Sequence, residues 1–114
     1  MTLKGKVAIV TGSSSGIGQA IALALAAAGA AITINYRSNR AAAEDTRKKI
    51  TAVGGRAFVV QADVSKLPDL QNLVDQTVQT HGRLDIMINN AGIETRTSTL
   101  DTTEAEYDRV LNVN

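Results

Sequence analysis

The stretch Thr11-Gly12-Ser13-Ser14-Ser15-Gly16-Ile17-Gly18 carries no lysine, no acid and no ring, yet its glycine spacing suits it to hold an anion. It follows the apolar run Val7-Ala8-Ile9-Val10 and opens the alanine-rich, helix-forming residues 17–28. A strand, a glycine turn and a helix start in that order aim free backbone N–H groups and the positive end of a helix dipole at one point, where a pyrophosphate can sit. Within this G-x-x-x-G-x-G spacing, Gly12 would make the tight turn, Gly16 would let the backbone approach phosphate, and Gly18 would let the helix pack against the sheet. The motif reads as a dinucleotide site because its flanks have the structure such a site needs.

Three further clusters follow apolar segments. Dinucleotide folds that take NAD place an Asp or Glu on the ribose 2′-hydroxyl about 20 residues beyond the glycines. Here the residues are Asn35-Tyr36-Arg37-Ser38, with no acid to repel a 2′-phosphate and Arg37 to bind it, so NADP is favoured over NAD. Asp63-Val64 closes the third apolar segment, where Asp63 could accept from an adenine amino group while Val64 packs on the ring, or could cap the next helix together with Ser65. Asn89-Asn90-Ala91-Gly92 closes the fourth, with small residues that admit a ribose and nicotinamide, and amides able to bond across neighbouring loops.

The elements that must carry these clusters alternate. Strands are expected over residues 6–10, 31–36, 56–61 and 84–89, and helices over 17–28, 40–53 and 66–81. Gly29 suits the C′ position of the first helix. In the second helix Ala43, Ile50 and Val53 share a face, and in the third Leu67, Leu70, Val74 and Val78 form the expected core stripe, with Ser65 as N-cap and Pro68 tolerated in the first turn. The run Ala57-Phe58-Val59-Val60 reads as a strand buried on both faces. A fourth helix begins near Thr103 with a capping box and ends unfinished, placing Tyr107, Val110, Leu111 and Asn114 on one face. His81 is expected to cap the third helix and Asp85 to be structural. Alternation of this kind makes an α/β fold, a Rossmann-type parallel sheet with helices on both faces, here stopping after the start of the helix that follows strand four. The chain is read as the N-terminal, dinucleotide-binding part, residues 1–114, of one such domain.

Composition removes several alternatives. A net charge of +1, two tyrosines and one phenylalanine offer neither the basic field nor the stacking platform that nucleic acid requires. The chain has no cysteine, and no metal-ligand cluster stands out. No signal peptide opens it, and no apolar run reaches the roughly 18 residues of a membrane span, so a cytoplasmic protein is expected.

Through Thr11-Gly12-x-x-x-Gly16-x-Gly18, Asp63-Val64, Asn89-Asn90-Ala91-Gly92 and Asn112-Val113-Asn114, the chain closely resembles the short-chain dehydrogenase/reductase family. Within it, Asn35-Tyr36-Arg37-Ser38 and the stretch 87–94 look most like glucose 1-dehydrogenases, with 3-oxoacyl-carrier-protein reductases close behind. The resemblance implies that Gly12, Ser14, Gly16, Ile17 and Gly18 surround the pyrophosphate and adjoining ribose. It assigns Arg37 and Ser38 to the 2′-phosphate, Asp63 and Val64 to adenine, and Asn90, Ala91 and Gly92 to the nicotinamide ribose. Asn114 matches the asparagine of the family's Asn-Ser-Tyr-Lys tetrad, which holds a water of the proton relay. The alternative at that position is an asparagine satisfied in the core.

The parent reaction implied is hydride transfer between nicotinamide and a secondary alcohol, sugar or ketone. The serine and the Tyr-x-x-x-Lys pair would lie beyond Asn114, and neither Tyr36 nor Tyr107 has a lysine four residues on, so these residues alone are expected to be inactive. A truncated module that binds dinucleotide or oligomerises without turnover is the competing expectation. With Ile86-Met87-Ile88 left on an edge, an isolated monomer is expected to be marginal and to need a second copy, a swap or the missing half, with a homo-oligomer as the expected assembly.

Overall fold

A computed structural model describes residues 2–14 and 16–90, and everything below concerns those residues. Their order is β1 (Val7–Val10), α1 (Gly16–Ala27), β2 (Ala31–Tyr36), α2 (Arg40–Ala52), β3 (Ala57–Gln61), α3 (Leu67–His81) and β4 (Ile86–Ile88). Four strands form one sheet in the order β3-β2-β1-β4, and every pairing is parallel. Two parallel neighbours on either side of β1 mean that the strand order reverses there, which opens a crevice at the C-terminal ends of β1 and β4.

Alternate side chains of the strands feed two cores. Ala8, Val10, Ile32 and Ile34 pack with Ala22 and Ala26 of α1 and with Ala43 and Ile50 of α2. On the other face Ile9, Val60 and Met87 meet Leu70 and Leu73 of α3. Helices thus cover both faces, as the alternating sequence requires. α1 packs through alanines because small side chains bring its backbone close to the sheet. It ends in a two-bond reversal, in which the Gly29 N–H donates to Ala26 O at 2.9 Å and the Ala30 N–H to Leu25 O at 3.1 Å.

Three packing expectations need correction. Val53 lies past the end of α2 and is 73% exposed, while the buried face of that helix is Ala43, Thr46 and Ile50. The buried stripe of α3 is Leu70, Leu73 and Thr77, with Leu67 54% exposed and Val78 also exposed. In both helices a threonine takes a place that hydrophobicity alone assigns to an aliphatic residue. Thr77 Oγ1 bonds Thr33 Oγ1 of β2 at 2.9 Å and Leu73 O at 2.8 Å, so a hydroxyl is satisfied inside the core. Finally, β3 is an edge strand that packs on both faces, Ala57 and Val59 toward one core and Phe58 and Val60 toward the other, but of these only Val60 is fully buried. The N-cap of α3 is Lys66 rather than Ser65, and its ammonium has no acceptor to offer the helix N–H groups, while the Ser65 hydroxyl donates to Asp63. The helix expected from Thr103, with Tyr107 and Asn114, lies outside the described residues.

Asp85 is structural, as expected. Its Oδ2 accepts from the Val7 N–H at 2.9 Å and its own N–H donates to Val7 O at 2.9 Å, which pins the start of β4 to the start of β1. No helix of the described residues is long and apolar enough to cross a membrane, and no cluster of metal-ligating side chains occurs among them.

His81, the last residue of α3, packs edge-on against Phe58 with ring centroids 5.1 Å apart. Burial pushes its pKa below the ordinary 6.5, and the nearby positive charge of Arg56 pushes the same way. The native state therefore prefers neutral imidazole, so this contribution to stability is complete above pH 6.5 and is lost as the pH falls through the lowered native pKa. Asp63 and Asp85, whose pKa values lie below the ordinary 3.8, keep their contributions until the solution is far more acidic. Urea midpoints compared at pH 7.5 and pH 5 are expected to fall more for the natural chain than for His81→Gln.

Candidate functional site

All four strands run the same way, so the segments that leave their C-terminal ends gather along one edge of the sheet. These are the glycine loop after β1, Arg37 and Ser38 after β2, Asp63 and Val64 after β3, and Asn90 after β4. Residues read from four separated stretches of sequence thus share one rim. Ala91, Gly92 and Asn114 lie outside the described residues, as does Ser15 within the loop.

The glycine loop is held from four directions. The Thr11 N–H and hydroxyl both reach Ile88 O of β4, at 3.0 and 3.2 Å. The Gly12 N–H donates to Asn35 Oδ1 of β2 at 3.1 Å, and Gly12 O accepts from Asn90 Nδ2 at 3.2 Å. The Ser13 N–H donates to Asn35 O at 3.0 Å, Ser13 Oγ donates to Val10 O at 2.7 Å, and Ser13 O accepts from Thr46 of α2 at 3.1 Å. Thr46 in turn accepts from Gln19 Nε2 of α1 at 2.8 Å. The polar groups of residues 12 and 13 are therefore spent inward, which sets the loop's shape. The first N–H groups of α1 have no acceptor within the helix.

Gly12 and Gly16 both have left-handed backbones, at φ 62° and 59°. A side chain at Gly16 would meet nothing within 4 Å, so this position lies open to an incoming group. Gly18 differs: a Cβ there would run into the carbonyl of Gly12 and stand 2.7 Å from Asn90 Nδ2. Its partner is the loop itself and the end of β4, which refines the expectation of helix against sheet. The first turn of α1 has no acid, so nothing there opposes an anion at the positive end of its dipole. Ser14 is half-buried on the loop and Ile17 stands 65% exposed beside it.

At the far end of the rim, Asp63 Oδ1 accepts from Ser65 Oγ at 2.6 Å and from the Ser65 N–H at 3.1 Å. The Ser65 hydroxyl is the largest cause that holds the Asp63 pKa below the ordinary carboxylate range, and the Arg37 charge adds to it against the upward push of burial. Asp63 is thus an ionised carboxylate. Arg37 Nε lies 3.8 Å from its Oδ2, and the Asp63 N–H donates to Asp69 Oδ2 of α3 at 2.9 Å. A hollow of about 500 Å³ lined by Ala26, Gly29, Val53, Gly54 and Arg56 lies at the other end of the sheet and shares no residue with this rim.

Several supports were not visible as such in the sequence. Asn35 was read with Arg37 as part of the ribose end, yet its amide is buried and braces two strands, accepting from Gly12 and donating to Ala62 O at 3.1 Å. The available signal was a polar residue continuing the apolar run 31–34. Thr46 gives the same signal on the apolar face of α2, whereas Asp69 gives none, since an acid in a first helical turn has an ordinary explanation.

A glycine loop and a helix start at the strand-order reversal of a parallel sheet define a Rossmann-type half. The short chain dehydrogenase family model matches residues 6–114, and the chain belongs to that family, whose members are oxidoreductases. It is 49% identical over 98% of its length to an uncharacterized oxidoreductase of Methylorubrum extorquens, of which it covers 45%. It is 42% identical over 99% of its length to a hydroxynaphthalene reductase-like protein of Metarhizium anisopliae, of which it covers 42%. The chain thus spans less than half the length of these relatives. Among solved structures, a short chain dehydrogenase from Burkholderia cenocepacia in complex with NADP superposes with a TM-score of 0.73 at 42% identity, covering 76% of this chain and 36% of that one. A 7α-hydroxysteroid dehydrogenase complexed with NADH superposes at 0.72 and 36% identity, covering 75% and 33%.

Two substitutions test the brace. Gly18→Ala forces the new methyl into the Gly12 carbonyl, and a loss of about 1–3 kcal/mol is expected from urea unfolding. Asn35→Asp keeps an acceptor for Gly12 but presents a carboxylate to the carbonyl of Ala62, where the amide donated. At pH 7 a loss of about 1–3 kcal/mol is expected by the same measurement, since a buried acceptor loses its donor.

Proposed function

We propose that this rim binds the cofactor of an NADP-preferring short-chain dehydrogenase/reductase that moves a hydride between nicotinamide and a secondary alcohol, sugar or ketone. The nicotinamide ring supplies the hydride chemistry when bound. The observation that carries the reading is the pairing of an acid-free glycine cradle with Arg37 on the same rim, where residues 35–38 contain no carboxylate. Relatives bound to NADP and to NADH support a nicotinamide dinucleotide and leave the choice between them to residues at this end of β2.

In this reading the first-turn N–H groups of α1, with Gly12, Ser14, Gly16, Ile17 and Gly18, receive the pyrophosphate and its ribose. The open space at Gly16 and the inward-turned polar groups at residues 12 and 13 suit that fit. Arg37 and Ser38 take the 2′-phosphate, while Asp63 and Val64 take the adenine. Asn90, Ala91 and Gly92 stand beside the nicotinamide ribose, and Asn114 orders the water of a proton relay whose other members belong to a longer chain. The substrate class follows from the relatives' family, and the glycine loop has no part in choosing it.

A charge-assisted contact from Arg37 to a 2′-phosphate contributes about 1.5–3 kcal/mol, or about ten- to a hundredfold in affinity. Titration with NADPH and NADH is expected to show tighter NADPH binding, and Arg37→Ala to weaken NADPH by about that factor. A preference that survives the substitution unchanged removes Arg37 from the cofactor choice.

A further inference from the structure

Arg37 and Asp63, which have separate duties toward the adenosine end of the cofactor in the reading above, are in contact with each other through Arg37 Nε and Asp63 Oδ2 at 3.8 Å. The two are unequally free to move. Asp63 is fixed by two hydrogen bonds from Ser65 to its Oδ1 and by its own N–H bonded to Asp69. Arg37 is tied through its backbone, where its carbonyl accepts from Gln61 Nε2 at 3.2 Å, while its side chain is 77% exposed. Because Oδ1 is engaged by Ser65, the carboxylate oxygen that an adenine amino group would need is Oδ2, and that oxygen faces the guanidinium.

We infer that Arg37 is an internal competitor for the adenine-binding oxygen of Asp63, so that it discriminates against NADH as well as in favour of NADPH. This rests on the assignment of the rim to a nicotinamide dinucleotide. An adenine amino group that reaches Oδ2 competes with the guanidinium for the negative charge of that oxygen, whichever dinucleotide carries it. A 2′-phosphate then takes up the guanidinium, exchanging one charge-assisted partner for another. A 2′-hydroxyl offers no such partner, and the ion pair is weakened without replacement. Specificity is a difference between two affinities, and here one residue acts on both sides of it. Exposed ion pairs of this kind shift an equilibrium by about two- to fivefold and are screened by salt.

The distinguishing experiment is a calorimetric titration of NADH and NADPH against the natural chain, Arg37→Ala, Asp63→Asn and the double variant. Arg37→Ala is expected to weaken NADPH about tenfold or more and to tighten NADH about two- to fivefold, a gain that shrinks at high salt. In the Asp63→Asn background the same substitution is expected to bring NADH no gain. An NADH affinity that stays level or falls in Arg37→Ala overturns the inference, as does an equal gain in the Asp63→Asn background. An NADPH affinity indifferent to Arg37 refutes instead the 2′-phosphate assignment on which the inference rests. Carbon-13 NMR titration of the Asp63 carboxyl decides the ion pair without any dinucleotide. Its midpoint is expected to rise in Arg37→Ala, and an unchanged midpoint overturns the competition.

Discussion

The amide of Asn35 is the constraint on which the site's shape depends. It is buried at the end of β2, accepts from the Gly12 N–H and donates to the carbonyl of Ala62 just past β3. Its backbone also exchanges two hydrogen bonds with Ser13. A single side chain therefore ties the glycine loop to two strands at once. An amide is required, because one end must accept and the other must donate. With this tie in place, Thr46 from α2 and Asn90 from β4 close the remaining carbonyls of the loop, and Gly18 fits beneath it.

The same brace shapes the loop to which the proposed function assigns an anion. With the polar groups of residues 12 and 13 turned inward, the backbone at Gly16 is left-handed and open. Fixed dipoles need no rearrangement when a ligand binds, and no acid in the first turn of α1 opposes them. Charged side chains enter at the ends of β2 and β3, where Arg37 is 77% exposed and Asp63 is held by Ser65 and Asp69. Shape is thus set by the hydrogen bonds around the glycine loop, and the charged pair stands apart from it at the ends of β2 and β3.

Much of this was legible residue by residue. β2 spans residues 31–36 as expected, and β1 and β4 lie inside their expected stretches, because apolar runs bounded by turns leave little choice. Gly29 reverses the chain after α1 as its position suggested. The helical stripes of α2 and α3 were misplaced by a consistent cause. Thr46 and Thr77 are polar in sequence and buried in space, and what admits each to the core is a hydrogen-bond partner on another element, Ser13 for one and Thr33 for the other. No scale of hydrophobicity contains that partner. β3 was expected to be buried on both faces because Ala57-Phe58-Val59-Val60 is apolar, whereas its place at the sheet edge, which leaves three of these residues half-buried, is decided by strand order.

The sequence by itself determined the alternation of strands and helices, the glycine cradle, the acid-free end of β2 and membership of an oxidoreductase family. Those properties live in local periodicity and in short motifs, where each residue's chemistry is expressed by its near neighbours along the chain. Tertiary structure alone decided that Asn35 braces the loop, that Asp69 holds Asp63, and that Arg37 faces Asp63 Oδ2. The physical reason is that each of these contacts joins two elements and depends on strand order and sheet register, which bring Asn35 to Gly12, 23 residues away, and Arg37 to the end of β3.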